Sequence, residues 1–268
     1  MNWDGVIKMR EINFLTWNTQ LYEMGNIVHD GQAVKKIDML TFKNVINQVE
    51  GFLNSHNEAV AILQEIPFKC NVNSKFGEHI LFRNFIKAFP DDKYDMLYNI
   101  SSDNQIKMTV VLAKKIGLGK LIYRKDNALN NNMCVSFGIK DLDLSITGVH
   151  LHEANDLLNW LQENSKPDII LGDFNAGDYK KKYECSEFKD NRENYKKLIS
   201  GYTDICNGQA TRKIVFSNGS EYETAIDHVL FKKSYESTKK YQCKNIVVNP
   251  NRYNASDHYL IFFKLLYI

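Results

Sequence analysis

The sequence has few residues that would divide it into separate parts. Only four prolines occur among its 268 residues, and no stretch is rich in glycine and serine. Flexible linkers between domains are usually built from such residues, and no internal repeat is visible. We therefore expect residues 1–268 to form one domain, of a length that sandwich and barrel folds routinely reach.

Cysteine pairs and long apolar runs are also missing. The five cysteines lie far apart, with no CxxC pair among them, so we expect reduced thiols and neither a zinc site nor a redox motif. The first residues, MNWDGVIKMREINFLTWN, mix charged and apolar side chains, which is not the pattern of a secretory signal. No apolar run is long enough to cross a membrane. These absences predict a cytoplasmic protein without a membrane segment.

A strong charge of either sign is the third absence. The formal net charge is +2, with 44% apolar and 25% charged residues, which is ordinary globular usage. A protein that moves along nucleic acid is usually more basic than this. Any attraction for an anionic substrate must therefore come from local groups rather than from the field of the whole protein.

Strands are the commonest predicted elements. Helical spacing of apolar residues is confined to Lys35–Asn54, Glu153–Asn164 and Asp190–Ser200. Many strands with few helices, in one uninterrupted chain, predict two packed sheets with helices outside, which is an α/β sandwich. Short β-branched and aromatic runs predict the strands Ile12–Trp17, Val60–Gln64, Tyr94–Tyr98, Met108–Ala113, Cys134–Ile139, Leu144–Val149, Ile169–Leu171, Ile226–Phe231, Asn245–Val248 and Tyr259–Leu266.

Polar side chains stand at the ends of several predicted strands. The segments FLTWN, VAILQE, SITGVH and IILGDFN end in them, and SDH precedes the last strand. Taken singly, each residue has an ordinary explanation as a turn former, a cap or a solvated side chain. Together they indicate a site, because catalytic groups are often presented where a rigid strand ends. The residues are Asn18, Glu65, His150, Asp173, Asn175, Asp257 and His258.

Phosphoryl transfer would use this set of side chains. The reaction needs a hard divalent cation with oxygen ligands, a carboxylate that orients or deprotonates water, and donors for the developing negative charge. Glu65, Asp257 and Asn18 can supply the ligands, and Asp173 the carboxylate. His258, when protonated, supplies a cationic donor directly beside Asp257.

Two further spacings support this interpretation. Asn175 lies two residues after Asp173, so in an extended segment both side chains would leave on the same face and could reach one phosphate. Asp227 lies within the apolar strand segment TAIDHVLF, where an unpaired carboxylate would be costly. Pairing of Asp227 with His258 would remove that cost.

The order of these residues resembles the endonuclease/exonuclease/phosphatase superfamily, which includes deoxyribonuclease I, exonuclease III and neutral sphingomyelinases. The motifs LQE, LGDFNA and SDH follow one another between residues 12 and 263, with an Asn-ended first strand and an Asp-bearing strand before the last. The resemblance implies a four-layered α/β sandwich of two mainly antiparallel sheets flanked by helices. It also implies Mg²⁺ or Mn²⁺ as the cofactor and in-line attack of water on a phosphate ester.

The resemblance implies a role for each matching residue. Asn18, Glu65 and Asp257 would gather around the metal ion, and Asp173 would orient the attacking water. This pattern predicts a metal-dependent phosphoric ester hydrolase.

The remaining matching residues would act on the phosphate. Asn175 and His258 would bind it, and Asp227 would hold His258. His150 looks like the histidine that the deoxyribonuclease I and sphingomyelinase branches place against the phosphate, where it can donate to the leaving oxygen. Because the exonuclease III branch uses a tyrosine elsewhere, His150 argues against an abasic-site repair enzyme.

Two departures from the family pattern narrow the prediction. Asp227 is followed by His228 where many relatives have an aromatic residue, and it lacks the arginine that precedes it in many nucleases. His228 would point away from Asp227 and is expected to be structural. The segment GDFNAGDY also lacks the arginine of the inositol-polyphosphate phosphatases, which argues against that activity.

Four further residues are candidate phosphate contacts. Lys180 opens a run of three lysines, for which a solvated surface is an equally good explanation. Arg252 and Tyr253 could contact a phosphate and stack on a base, or could lie in an ordinary exposed loop. Lys107 stands roughly where some relatives carry a phosphate-binding arginine.

A nuclease acting on DNA or RNA is the favoured function, with no protein partner predicted. One alternative is a metal-dependent phosphatase or phosphodiesterase acting on a lipid or a small phosphorylated molecule. The near-neutral charge keeps that alternative open, and the lack of an amphipathic membrane helix opposes it. A non-catalytic binding member is the other alternative, opposed by the candidates at every catalytic position. The choice among them rests partly on family analogy, because fold does not fix function.

Overall fold

The computed structural model of the chain describes residues 9–21, 39–72, 75–100, 105–124, 133–151, 154–163, 166–177, 186–215, 218–234, 241–250 and 256–267. Among these residues, no helix is both long enough and apolar enough to cross a membrane. The helices are α1 (Met39–Ser55), α2 (Ile80–Ala88), α3 (Lys115–Leu118), α4 (Ala154–Glu163) and α5 (Ser186–Ile199).

The strands outnumber the helices, as the sequence predicts. They are β1 (Arg10–Asn18), β2 (Ala59–Pro67), β3 (Lys69–Val72), β4 (Lys75–Glu78), β5 (Tyr94–Tyr98), β6 (Lys107–Lys114), β7 (Leu121–Tyr123), β8 (Cys134–Ile139), β9 (Ile146–His150), β10 (Ile169–Asp173), β11 (Tyr202–Asp204), β12 (Arg212–Val215), β13 (Glu221–Thr224), β14 (Asp227–Lys232), β15 (Tyr241–Asn249) and β16 (Leu260–Tyr267).

Each predicted strand corresponds to an observed one, with ends that differ by a few residues. Of the predicted helices, α1 begins at Met39 within the described residues, α4 matches closely, and α5 begins four residues earlier than Asp190. The sequence reasoning missed the shorter elements, namely β3, β4, β7, β11, β12, β13, α2 and α3. Short elements carry too few periods of a hydrophobic pattern to be recognised.

Two six-stranded sheets form the centre of the molecule. The strand orders are β15-β16-β1-β2-β6-β5 and β11-β14-β10-β9-β8-β7. In each sheet one central pair is parallel, β1 with β2 and β9 with β10, and the other neighbours are antiparallel. The described strands therefore confirm the two mainly antiparallel sheets that the family resemblance implies.

The apolar side chains divide the protein into four layers. One buried cluster lies between the sheets and draws on both of them, for example Phe14 and Ile62 of the first sheet and Phe137 and Leu171 of the second. A second cluster joins the first sheet to α1 and α2, and a third joins the second sheet to α4 and α5. The layers are thus helix, sheet, sheet and helix, an α/β sandwich.

The local sequence explains why these layers form. In α1 the buried residues recur every three or four positions, so that one face of the helix covers the sheet. All nine residues of β2 are buried, because a strand with neighbours on both sides and layers above and below has no face in water. Its run of small and apolar residues, AVAIL, is the signature of such a central strand.

Candidate active site

The site lies where the two parallel strand pairs end. Because β1 and β2 run in parallel, as do β9 and β10, polar residues at their carboxyl ends gather at one edge of each sheet. In the second sheet Asp173 lies beside His150 on one side and Asp227 on the other. A hydrogen bond of 2.8 Å from Asn18 Nδ2 to Asp173 Oδ2 joins the two sheets at this point.

Glu65 owes its position to a break in the sheet. The pairing of β2 with β6 shifts between Leu63 and Ile66, and Glu65 has a positive φ of 59°. A bulge of this kind re-aims a side chain, and the left-handed backbone is costly for a residue other than glycine. Such strain is typical of functional positions. Here it directs the carboxylate of Glu65 into the site, where it is buried.

Asp173 is held in place by its surroundings. Its Oδ1 accepts a hydrogen bond of 2.8 Å from the backbone N–H of Asn175, and its Oδ2 accepts the one from Asn18. The preceding Gly172 has a φ of 132°, and a Cβ there would lie 2.1 Å from the carbonyl oxygen of Val149. Only glycine fits this approach between β9 and β10.

Asn175 is not in an extended segment. Its φ is 45°, and its side-chain Nδ2 donates to the carbonyl oxygen of Leu151 at 2.8 Å. The side chain therefore fixes the loop after β10 against the end of β9. The structure brings Asn175 next to Asp173, but through a turn rather than through the shared strand face that the two-residue spacing suggested.

His258 and Asp227 form a buried ion pair. His258 Nδ1 lies 3.0 and 2.9 Å from the two carboxylate oxygens of Asp227, and both residues are 3% exposed. The backbone N–H groups of Ile226 and Asp227 donate to Thr211 Oγ1, which anchors this end of β14. The cost of the buried carboxylate is thus met by the partner that the sequence predicts.

His258 carries a proton at neutral pH. Burial would lower the pKa of His258, but the carboxylates of Asp227, Asp173 and Asp257 together raise it to about 9. Burial and the nearby Asp173 raise the pKa of Asp227, against the effect of its ion pair with His258. The other ring nitrogen, Nε2, lies 3.8 Å from Asp173 Oδ2 and 3.5 Å from Asp257 Oδ1. It is a cationic donor that faces the site.

His150 lies between two of the carboxylates. Its Nε2 is 3.5 Å from Glu65 Oε1 and 3.7 Å from Asp173 Oδ2. The ring is 3% exposed. The structure therefore brings His150 together with the other residues of the predicted site.

Two basic side chains neutralise the outer carboxylates. Lys107 Nζ lies 2.9 Å from Glu65 Oε1. Arg212 places Nε and Nη2 each 2.8 Å from Asp257 Oδ2. Burial lowers the pKa of Arg212, but the carboxylate of Asp257 outweighs this and raises it. Lys107, predicted as a phosphate contact, thus pairs with a carboxylate of the site.

The carboxylate oxygens that Lys107 and Arg212 do not contact suit a divalent metal ion. Glu65 Oε2 and Asp257 Oδ1 are buried and make no hydrogen bond within the described residues. A buried carboxylate oxygen without a partner is costly, and carboxylate oxygens are the ligands that Mg²⁺ prefers. Asn18 could add its Oδ1, which also accepts from the backbone N–H of Gln20 at 3.1 Å.

A second arrangement fits a metal ion less well. Asp173, Asp227 and His258 offer ligand atoms within 4.8 Å of one another. His258, however, is occupied by Asp227 at Nδ1 and carries a proton, and a histidine must be neutral to bind a metal. The buried oxygens of Glu65 and Asp257 that have no partner within the described residues are therefore the better candidates for a cation.

Some residues of the site carry no signal in the sequence, and some predicted ones lie elsewhere. Arg212 and Thr211 belong to a polar segment, QATRKIV, that matches no motif. Ser256 donates to the carbonyl oxygen of Asn18 and accepts from the N–H of His258, which ties the last strand to the first; the motif SDH could have indicated it. The predicted phosphate contacts Lys180, Arg252 and Tyr253 lie outside the described residues.

Comparison with known proteins gives structural likenesses only. No protein-family model matches the sequence, and no curated protein matches it. The endonuclease domain of TRAS1, a telomere-specific non-LTR retrotransposon, has a TM-score of 0.58 and 14% identity, over 94% of this chain and 97% of that chain. The 3′ phosphatase NExo from Neisseria, bound to a product DNA hairpin, has a TM-score of 0.60 and 13% identity, over 94% and 98%.

A third solved structure is similar over the same extent. ANGEL2, a 2′,3′-cyclic phosphatase in complex with adenosine-2′,3′-vanadate, has a TM-score of 0.55 and 12% identity, over 97% of both chains. At these identities the likeness concerns the fold, and it extends over nearly the whole chain. It confirms the fold that the family resemblance implies: the chain has the α/β sandwich fold of these three solved structures.

Proposed function

We propose that the protein is a divalent-metal-dependent phosphoric ester hydrolase that acts on nucleic acid. The observation that carries the proposal is the convergence of Glu65, Asp173, Asp257 and His258 at one end of the sandwich. Segments distant in the sequence bring them there, and two of the carboxylates keep a buried oxygen that has no hydrogen-bond partner among the described residues. Such an arrangement is expensive for folding and has an obvious use only in chemistry.

The residues divide the work of an in-line displacement between them. Asp173, fixed by Asn18 and the N–H of Asn175, keeps a carboxylate oriented to position or deprotonate water. The protonated ring of His258 donates to the phosphate oxygen on which negative charge develops. Glu65 and Asp257 would hold a divalent ion, which would supply charge neutralisation for the phosphate.

Two more residues assist the reaction, one at the leaving group and one through His258. His150, buried beside Glu65 and Asp173, would donate to the leaving oxygen. Asp227 keeps His258 protonated and holds its Nε2 toward the site. Asn175 holds the loop after β10 against Leu151, which follows β9.

Nucleic acid is the favoured substrate class for two reasons. The structural neighbours are named as an endonuclease domain, a 3′ phosphatase bound to DNA and a 2′,3′-cyclic phosphatase. In addition, Lys107 and Arg212 offset two carboxylates of the site, so that with a divalent ion bound the site would attract a phosphate. Local charge of this kind suits a phosphate backbone.

The proposal is tested with the purified protein and a panel of phosphate esters. The panel contains plasmid DNA, single-stranded DNA, RNA, a 3′-phosphorylated oligonucleotide, bis-p-nitrophenyl phosphate and phospholipid vesicles, each with Mg²⁺, Mn²⁺ or EDTA. We expect metal-dependent cleavage of at least one nucleic acid. Asp173→Asn should lose most of it, by roughly 10²-fold to 10³-fold in kcat.

A matched variant guards against a contaminating nuclease. Asp141 lies in an exposed turn with a φ of 68°, which asparagine tolerates. Asp141→Asn should therefore retain full activity while undergoing the same chemical change as Asp173→Asn. Hydrolysis of lipid or small esters alone would replace nucleic acid as the substrate. No turnover of any ester, or equal activity in both variants, would overturn the hydrolase proposal.

A further inference from the structure

Two carboxylates of the site are held in the same way. Lys107 lies on Oε1 of Glu65, and Arg212 lies on Oδ2 of Asp257. The second oxygen of each carboxylate is buried and has no hydrogen-bond partner within the described residues. Each carboxylate therefore has one oxygen bound to a cationic side chain and one oxygen that could bind a metal ion.

The backbone fixes Arg212 in this position. Arg212 and His258 pair as an isolated antiparallel bridge, and the N–H of Lys213 donates to the carbonyl oxygen of Asp257 at 2.9 Å. The N–H of Tyr259 donates to the carbonyl oxygen of Thr211 at 2.7 Å on the other side. Strand β12 thus runs antiparallel to the SDH segment and is hydrogen-bonded to it. These backbone contacts fix the guanidinium of Arg212 beside Asp257.

We propose that Arg212 is a positioning residue for the metal site whose charge outweighs its hold on Asp257: it binds Oδ2 and leaves Oδ1 for the divalent ion, weakens binding of that ion by its own charge, and makes the loaded site more attractive to phosphate. This inference rests on the proposed function. Arg212 would act directly on the affinity for the metal ion, and through the charge of the loaded site on the affinity for phosphate.

The total charge of the site explains why Arg212, which repels a divalent ion, lies beside the proposed metal ligand Asp257. The carboxylates of Glu65, Asp173 and Asp257 face the cations Lys107 and Arg212, while His258 and Asp227 cancel each other. With His150 neutral, these groups would leave one negative charge before the ion binds and one positive charge afterwards. A loaded site with a positive charge attracts phosphate, and without Arg212 the loaded site would be neutral.

Replacement of Arg212 should therefore move two affinities in opposite directions. A unit charge a few ångströms from the ion, in a partly exposed site, changes its affinity by about tenfold. Arg212→Gln should bind Mn²⁺ about tenfold more tightly than the wild type, because the repulsion is gone. The Mn²⁺-loaded variant should bind inorganic phosphate about tenfold more weakly. Arg212→Lys, which keeps the charge, should stay within about threefold of the wild type in both.

The experiment is calorimetric titration of the metal-free full chain with Mn²⁺, followed by titration of the loaded protein with inorganic phosphate. Lys213→Met is the matched control, because Lys213 is the next residue of β12 and its side chain pairs with Glu221 of β13. It should change neither affinity. Thermal unfolding in EDTA shows that each variant is folded, and Asp257→Asn, which removes the ligand charge, should bind Mn²⁺ far more weakly.

The outcomes separate the two proposals. Unchanged or weakened Mn²⁺ binding in Arg212→Gln overturns the role of Arg212, whether or not the protein hydrolyses esters. Tighter Mn²⁺ binding with unchanged phosphate binding also overturns it, because the charge would then serve no substrate. A wild-type protein that binds no Mn²⁺ and hydrolyses nothing removes the proposed function and this inference together.

Discussion

Two buried histidine–aspartate pairs stand on opposite faces of β14. Asp227 and His228 are neighbours in the sequence, so their side chains leave the strand on opposite sides. Asp227 pairs with His258 in the candidate site, at 2.9 Å. His228 pairs with Asp204 behind it, through Nδ1 and Oδ2, also at 2.9 Å. The two pairs share their chemistry and nearly their geometry.

The difference between the pairs lies at the far nitrogen of each ring. Nε2 of His228 lies 2.8 Å from the carbonyl oxygen of Ala176. Among the described residues, the partners of Nε2 of His258 are the carboxylates of Asp173 and Asp257, at 3.8 and 3.5 Å. Both nitrogens of His228 therefore make hydrogen bonds within the protein, whereas His258 makes one such bond and turns its second donor to the site. Only the second arrangement leaves a donor for a substrate.

The surroundings of the two pairs agree with this division. Tyr195 stacks on the ring of His228, with centroids 4.3 Å apart, and its hydroxyl donates to Asp204 at 2.6 Å. Burial would raise the pKa of Asp204, but His228 and Tyr195 hold it below its ordinary value. Fully satisfied buried networks make a structure rigid. The loop after Asp173 is thus fixed from behind, at Ala176, by groups that take no part in chemistry.

The largest expected effect comes from breaking the pair behind the site. His228→Phe keeps the ring that packs on Tyr195 but leaves Asp204 Oδ2 without its contact to Nδ1 of His228. Loss of one partner of a buried ion pair costs about 3–5 kcal/mol. We expect the free energy of unfolding, measured by urea denaturation, to fall by that amount.

A double variant tests whether charge is the cause. His228→Phe combined with Asp204→Asn removes both members of the pair and should recover part of the lost stability, since no uncompensated charge remains. Equal losses in the single and double variants would show that shape rather than charge decides. The kcat of the folded His228→Phe protein should fall less than tenfold, because no donor of the site is lost.

The second effect comes from the pair in the site and appears in the rate. His258→Gln removes the cationic donor while retaining a side chain of similar length. We expect kcat to fall by roughly 10²-fold to 10³-fold, a barrier increase of about 2.7–4 kcal/mol. Circular dichroism under the assay conditions checks that the variant is folded. A variant that retains near-wild-type kcat would remove His258 from the chemistry and leave both pairs structural.

The sequence predicts the two pairs unequally. Asp227 and His258 can be matched in advance, because an acid in an apolar strand needs a partner and SDH supplies one. His228 can be predicted only as structural, on the opposite face of the strand. Its partner Asp204 lies in β11, a strand of three residues, which is too short for any periodic pattern.

The proposed metal site shows the same limit of prediction from local sequence patterns. The candidates Glu65 and Asp257 follow from their positions at the ends of predicted strands. Arg212 does not, because its strand β12 has only four residues and Arg212 meets Asp257 across 45 residues of sequence. Likewise, the positive φ of Asn175 sends its side chain to Leu151 rather than along a strand face. Contacts between distant segments depend on the assembled fold, and local patterns do not encode them.

The smallest expected effect, and the sharpest contrast with the pair behind the site, is on stability as a function of pH. His258 has a folded pKa of about 9 against an ordinary value of 6.5. Its proton therefore contributes stability that is fully present below about pH 6.5 and is lost as the pH rises to about 9, which amounts to about 3 kcal/mol. Urea denaturation of the metal-free wild type in EDTA, at steps between these values, should follow this fall. His258→Gln should lack this part of the slope, so the two curves converge toward pH 9. Parallel curves would mean that the proton on His258 does not depend on folding, and His258 would then not enter the reaction as a preformed cation.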